Sequence, residues 1–221
     1  MKIEQFIRKL NNTELNSQST NDAYIRVSKS IRERIPDEFF GMLDSKKIKI
    51  LNRNTGKEVG NWVRYQYYPS NKEYRIVNLN SVYKSYKASP GDYVYIERIQ
   101  NESEVYYEIY MKTYQKVCMK YSKSNEAFEI LNEDEVIKIG MIEKGLNLQY
   151  RGEEINSKIV YSHLKKKRSD SPSKSTFYTI ENLPNNFYDK IGKDHFVEIF
   201  QRGDRYFIDV MDSWSFNKFS K

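Results

Sequence analysis

The sequence predicts a mainly β protein with short helices (α+β), built as two tandem open β pseudobarrels. Three observations support this fold class. Short segments of alternating apolar and polar residues recur along the chain, turn-forming residues separate them, and the second half repeats the order of the first. The length of 221 residues allows one large domain or two small ones. We therefore expect one domain over residues 1–113 and a second over residues 114–221.

The strands of the first half are predicted from a hydrophobic period of two. Apolar side chains at every second position suit a strand that has one face in the core and one face in water. Asn and Gly accept positive φ, so residues 52–56 are predicted to form a turn. Five segments show the alternation, namely residues 24–27, 47–51, 62–68, 93–99 and 105–111.

The helices are predicted from their first turns and from the turns that follow them. Asp37 and Glu38 come directly after Pro36, which matches a proline at the first helical position followed by acidic residues. Four short helical segments are predicted, namely residues 30–43, 82–88, 132–139 and 184–191. Short strands with brief helices between them are typical of a small barrel.

The chain contains an internal repeat. Three of the clearest matches align residues 23–30 with 117–124, residues 41–43 with 140–142, and residues 106–109 with 206–209. Each match is short, but all occur in the same order at a spacing of about 100 residues, which indicates a duplication. The second domain is therefore expected to copy the strand order of the first.

The chain is basic and rich in tyrosine. It has 37 Lys and Arg against 30 Asp and Glu, a formal net charge of +7, and 19 Tyr. Tyrosine packs like a hydrophobic residue but keeps a hydroxyl group that can bond to phosphates or base edges. This composition favours nucleic-acid binding, although packing alone would also account for the tyrosines.

Several classes of protein are excluded by composition. A single cysteine, Cys118, excludes a disulfide scaffold and a zinc site built from several thiolates, and it fits a reducing compartment. No run of residues reaches the roughly 18 apolar positions of a membrane span. We therefore expect a cytoplasmic protein without a membrane partner.

Four segments of the first half carry a resemblance to a known family, namely residues 6–12, 24–29, 63–76 and 91–96. The order of these segments resembles that of the DNA-binding pseudobarrel superfamily. It consists of a strand, a polar loop, a second strand, a strand–arm–strand segment and a Gly-Asp step into a late strand. That superfamily includes plant B-three domains and the amino-terminal effector-binding domain of EcoRII-type restriction endonucleases. In that family two arms grip the major groove, which implies that this chain binds double-stranded DNA.

The resemblance assigns roles to residues of both arms. Amide and basic side chains suit base edges, and each good pair contributes about 1–3 kcal/mol of discrimination. The base-reading candidates are Asn11, Asn12, Gln66, Lys72 and Arg75. The phosphate-contacting candidates are Arg8, Lys9, Arg26, Arg64 and Tyr65. Ordinary solvated loops and the outer face of a strand are the alternative interpretation of these residues.

The second half has a basic run in place of a polar arm. Lys165, Lys166, Lys167 and Arg168 suit phosphates, whose contacts fix position without reading sequence. A partner-facing segment or a solvated loop is the alternative. Residues 1–113 carry 19 basic and 14 acidic residues, net +5, whereas residues 114–221 carry 18 and 16, net +2. The first domain is therefore the expected reader.

Catalytic patterns are weak. Asp37, Asp44 and Lys46 imitate the proline-aspartate and acid-x-lysine pattern of metal-dependent nucleases, but the spacing is short, and a helix-start acid and a turn acid explain them better. His163 and His195 have no recognisable catalytic companions. Binding requires no cofactor, and Mg²⁺ would be needed only by a nuclease.

The sequence favours a sequence-specific reader of double-stranded DNA, the recognition module or subunit of a prokaryotic restriction or defence system, and more a binding protein than an enzyme. Its partner in such a system would be a nuclease or an ATP-driven subunit. Two alternatives stay open. One is a complete small type II restriction endonuclease with a metal-dependent site, and the other is an RNA- or protein-binding defence module.

Overall fold

The computed structural model describes residues 1–15, 23–41, 49–59, 63–112, 116–138, 140–166, 174–192 and 195–220. Within these ranges the protein is mainly β, with sixteen strands and six short helices. The chain divides into two compact units. Unit 1 consists of residues 1–113 together with 214–221, and unit 2 consists of residues 114–213.

The larger sheet of unit 1 has six strands. In spatial order they are β16 (Trp214–Ser220), β1 (Lys2–Lys9), β7 (Tyr93–Gln100), β8 (Val105–Lys112), β3 (Lys49–Asn52) and β4 (Lys57–Glu58). Neighbouring strands are antiparallel except β3 and β8, which are parallel. One face of this sheet carries Phe6 and Tyr107, which are completely buried in the core of the unit.

The smaller sheet of unit 1 has three antiparallel strands. In spatial order they are β2 (Tyr24–Val27), β6 (Glu73–Val77) and β5 (Arg64–Tyr68). Its inner face supplies Ile25, Val27 and Ile76 to the same core as the larger sheet. Four short helices belong to this unit, namely α1 (Asn12–Leu15), α2 (Lys29–Arg32), α3 (Asp37–Gly41) and α4 (Asn80–Tyr86).

An aromatic cluster fixes α3 against the core of unit 1. The ring of Phe39 meets Tyr107 at 5.8 Å and Phe216 at 5.2 Å between centroids, both edge to face. Phe40 contacts Phe6 at 5.6 Å in the same geometry. Such pairs add about 0.5–1.5 kcal/mol each to the effect of burial. The helix therefore holds its place mainly through these two phenylalanines, since it is only five residues long.

Unit 2 is a closed barrel of seven strands. Around the barrel they are β10 (Ala127–Ile130), β13 (Lys174–Ile180), β12 (Glu153–Lys166), β11 (Gly145–Tyr150), β15 (Arg205–Asp212), β14 (His195–Arg202) and β9 (Lys116–Ser122). Two short helices accompany it, α5 (Glu133–Lys138) and α6 (Asn185–Tyr188). Leu148, Ile159 and Val197 are buried completely inside the barrel. Closure leaves this sheet without a free edge strand.

The two units share several strand pairings. β3 pairs in parallel with β8, and β11 pairs in parallel with β15. The antiparallel pairs β7–β8 and β14–β15 also correspond, and a short helix precedes each of them. One sequence match differs from the structure. Residues 117–124 lie in β9, which pairs with β14 as β1 pairs with β7, so the counterpart of β9 is β1 rather than β2.

Most of the predicted short elements of the first half are present, although two helices, α2 and α3, occupy the single helical segment expected over residues 30–43. The strands β2, β3, β5, β7 and β8 and the helices α3 and α4 lie within or beside the expected segments. The segment that follows β1 differs, because Asn12–Leu15 is a helical turn and not a loop. Glu14 of this turn is buried, which an entirely polar segment does not suggest.

The last strand lies in unit 1, although the sequence analysis places residues 214–221 in the second domain. β16 runs antiparallel to β1 over seven paired positions, from Lys2 opposite Ser220 to Arg8 opposite Trp214. Its apolar side chains Trp214 and Phe216 pack against the core of unit 1. The pairing joins the two ends of the described chain. Local sequence patterns carry no information about a pairing between residues so far apart in sequence.

Candidate nucleic-acid interface

The outer face of the three-stranded sheet gathers several of the predicted contact residues. Arg26 of β2 lies opposite Arg75 of β6, and Arg75 lies opposite Gln66 of β5. Directly opposed residues of neighbouring strands project from the same side of a sheet, so these three form a row across it. Arg64 lies two residues from Gln66 on β5 and therefore shares this face.

A single carboxylate organises two of these arginines. Glu73 accepts a hydrogen bond from Arg75 at 2.6 Å through Oε1, and its Oε2 lies 2.7 Å from Nε of Arg26. Glu73 is buried, whereas 58% of the Arg26 side chain is exposed. The face as a whole carries three guanidinium groups and one carboxylate, so it remains positively charged.

Arg75 is held from two sides by aromatic rings. Its guanidinium carbon lies 4.1 Å from the centre of the Tyr24 ring and 4.6 Å from that of Tyr68. Burial raises the pKa of Tyr24, while the nearby Arg75 opposes that shift. Arg75 is therefore already bound by Glu73 and contacted by two rings, unlike an uncommitted surface side chain, and its base-reading role stays a prediction.

The free polar groups of the sheet lie on the β5–β6 hairpin, residues 64–77. Arg64, Gln66 and Lys72 are exposed. Within the described part of the chain, none of these three side chains forms a hydrogen bond or an ion pair. Lys72 stands in the tight turn of the hairpin with φ of 51°. Their donors and acceptors are therefore available to a ligand.

The opposite face of the same hairpin is aromatic and also carries a cation. Tyr65 stacks between Phe40 and Tyr74, with centroids 5.1 and 5.0 Å apart, and burial raises its pKa to about 12. The Tyr65 ring is thus part of the packing of unit 1, and its phosphate role stays a prediction. Tyr67 packs against Tyr74 and is 48% exposed. The guanidinium carbon of Arg32 in α2 lies 4.0 Å from the centre of the Tyr74 ring.

The predicted contacts of the first arm are mostly structural. Arg8 is buried and pairs with Glu14, with 2.9 Å between Nε and Oε1. Lys9 is fully buried, with Nζ 4.7 Å from the centre of the Tyr93 ring. Both side chains are thus buried in unit 1, which differs from the exposed arm that the resemblance implies, and a phosphate contact would require them to become exposed.

The two asparagines of the first arm belong to the turn α1. Asn11 caps it, since its Oδ1 accepts hydrogen bonds from the backbone N–H groups of Thr13 at 2.9 Å and Glu14 at 3.0 Å. Asn12 is the first residue of the turn and is half-buried. Residues 16–22, which make up the rest of the predicted first arm, lie outside the described residues.

The basic run of the second half begins at the end of β12. Lys165 and Lys166 are exposed, and Lys165 donates a hydrogen bond to Oδ1 of Asn125 at 2.7 Å. Lys167 and Arg168 lie outside the described residues. The structure thus places two of the four predicted cations on a β-hairpin of unit 2.

The nuclease candidates do not form a described site. Asp37 is an exposed residue at the start of α3. Asp44 and Lys46 lie outside the described residues. Across the ranges that the structure describes, no three His, Cys, Asp or Glu side chains are grouped in a way that could hold a metal ion.

Comparison with protein families, curated proteins and solved structures finds no match to this chain. No helix among the described residues combines the length and the apolar character needed to cross a membrane.

Three contributors to this interface were not predicted from the sequence, namely Glu73, Tyr24 and Arg32. Glu73 precedes Arg75 by two positions on one strand, and Tyr24 precedes Arg26 by two positions on another. Residues two apart on a strand share a face, so the period of the strands could have revealed both. Arg32 could not be found in this way, because only the packing of α2 brings it to the hairpin.

Proposed function

We propose that unit 1 binds double-stranded DNA in a sequence-specific manner, with the β5–β6 hairpin inserted into the major groove. The observation that carries this proposal is the set of exposed, uncommitted side chains Arg64, Gln66 and Lys72 on one hairpin. Arg and Lys suit guanine, and Gln suits adenine. The register with β6 fixes the backbone of Arg64 and Gln66, and Lys72 lies in the turn of the same hairpin, so the three can present a constant pattern to base edges.

The distribution of charge supports a groove as the binding place. The major groove is about 12 Å wide and admits a two-stranded β-ribbon. A ribbon in that groove has a phosphate backbone on each side. The hairpin has Arg26 beside its outer face and Arg32 on its aromatic face, so cations stand on both sides of it. Lys29 of α2 is a third exposed cation, held only by a solvent-exposed ion pair with Glu33 at 3.6 Å.

The finer architecture is part of the same proposal. We infer that the two sheets of unit 1 form an open pseudobarrel and that unit 2 is a closed relative of it, made by duplication. The shared pairings β3–β8 and β11–β15 support this, as does the resemblance of residues 5–112 to the DNA-binding pseudobarrels. In a restriction or defence system, such a reader would serve a nuclease or an ATP-driven subunit.

Selection of bound duplexes from a random pool tests the proposal directly. The full chain is expected to enrich one short sequence motif, because fixed donors and acceptors favour particular base pairs. The enriched motif should contain guanine or adenine at fixed positions. The preference for these bases should disappear when Arg64 and Gln66 of the hairpin are replaced. A pool that stays unenriched after several rounds would contradict sequence-specific duplex binding.

Affinity for the selected duplex is expected to fall steeply with salt. If Lys29, Arg32 and Arg26 each neutralise one phosphate, the slope of log K against log salt is about −2.7, so binding weakens roughly 40-fold between 50 and 200 mM. Fluorescence anisotropy over a salt series measures this slope. A slope near zero would show that phosphates play no part.

A further inference from the structure

Unit 2 has a projecting hairpin that the function of unit 1 does not use. β12 is fourteen residues long, and its far end pairs with β13 from His163 opposite Phe177 to Lys166 opposite Lys174. We call residues 161–166 together with 174–178 the basic hairpin. β10 pairs with β13 only at Phe128 and Glu129, opposite Tyr178 and Phe177, so among the described residues no third strand pairs with the end of the hairpin beyond them.

The end of the basic hairpin opposes two like charges. Lys166 and Lys174 are directly across from each other, and both are exposed. Like charges in this position destabilise a strand pair, since their side chains leave the backbone only about 5 Å apart. Neither lysine forms an ion pair with any residue that the structure describes. A polyanion would remove this repulsion.

The same hairpin exposes two apolar side chains. Tyr161 and Leu164 are each 53% exposed. Along the strand, Leu164 and Lys166 are two residues apart, so they project from one face. The Tyr161 ring meets Tyr178 edge to face, with centroids 6.4 Å apart, and Tyr178 is buried and hydrogen-bonded to Glu133. One side of the Tyr161 ring thus packs against Tyr178, and the rest of the ring is exposed to solvent.

We propose that the basic hairpin binds single-stranded nucleic acid. Lys166 and Lys174 would contact phosphates, and Tyr161 would stack against a base, with Leu164 covering the adjacent sugar or base. Exposed aromatic side chains beside cations are the features that bind single strands, because each unpaired base offers a flat face. A duplex hides its base faces and would leave Tyr161 without a function. This inference does not depend on the DNA reading proposed for unit 1.

Titration of a fluorescent twelve-nucleotide oligothymidine with the full chain tests this proposal. Lys166→Ala with Lys174→Ala, and separately Tyr161→Ala, are each expected to weaken binding at least tenfold. The matched control is Lys144→Ala with Arg205→Ala, which removes the same charge from exposed positions of unit 2 and should change binding less than threefold. Circular dichroism melting shows that each variant is folded.

Three results would overturn the proposal. The first is oligothymidine binding that survives the paired lysine substitution. The second is Tyr161→Ala binding like the wild type, since charge alone would then suffice. The third is equal competition by polyglutamate or by a random duplex of the same charge, which would make the ligand any polyanion. Arg64→Ala with Gln66→Ala should leave oligothymidine binding unchanged, so failure of the reading proposal for unit 1 is recognised separately.

Discussion

Replacing Arg64 and Gln66 together by alanine is expected to abolish most of the preference for the selected DNA sequence. The two side chains are exposed on β5 and uncommitted, so both can bond to base edges. Losing two good base contacts should reduce the free-energy difference between the selected and a scrambled duplex by at least about 2 kcal/mol, roughly 30-fold. Parallel anisotropy titrations with the two duplexes measure that difference.

The control for this experiment is Lys57→Ala, which removes one positive charge from exposed β4 of the same unit. It should lower affinity slightly for both duplexes and leave their ratio unchanged. A double variant that keeps the wild-type ratio would show that the hairpin does not read bases. Arg64 is chosen over Arg75 because Arg75 is bound by Glu73 and its replacement would disturb the surface itself.

The largest effect on stability is expected from Glu14→Ala. This carboxylate is almost fully buried and accepts hydrogen bonds from the Arg8 side chain at 2.9 Å and from the backbone N–H of Arg26 at 3.1 Å. Removing it takes the anionic partner from a buried guanidinium, which costs about 3–5 kcal/mol. It also loosens β2, since Glu14 links the turn after β1 to that strand.

Urea unfolding followed by tryptophan fluorescence measures this loss. The two tryptophans of the chain, Trp62 and Trp214, both belong to unit 1, so the signal reports on the affected unit. Glu38→Ala is the control, because Glu38 is an exposed acid of α3 and its removal should stay within about 0.5 kcal/mol. If Glu14→Ala lowered the free energy of unfolding no more than this control, the buried Arg8–Glu14 pair would not contribute to stability.

The parts of the fold that sequence could predict are those with strong local patterns. β7 and β8 are rich in β-branched and aromatic residues and a short polar segment connects them, so both their existence and their pairing follow from local sequence. The start of α3 follows from Pro36 and the acids after it. Gln66 and Lys72 were predicted as contacts from amide and basic chemistry on a polar segment, and the structure leaves both exposed.

The parts that sequence could not predict depend on distant partners. Arg8 and Lys9 look like surface cations, but β1 lies between β16 and β7, which come much later in the chain. A buried cation can be recognised from sequence only when its anionic partner is known. The partner of Arg8 is Glu14, which lies in a helical turn that the sequence predicts as a polar loop. Likewise, the packing of Tyr65 between Phe40 and Tyr74 needs three separate segments.

The pairing of β1 with β16 has a consequence for how the protein is made. Unit 2 is inserted between two parts of unit 1, so about 120 residues must be synthesised after β7 before β16 is complete. At typical rates of translation this takes roughly 6–24 s. During that time β1 is an unpaired edge strand of the partly synthesised sheet, and a strand of another nascent chain could pair with it. When β16 pairs with β1, β1 becomes an interior strand of the sheet and β16 takes its place as the edge strand.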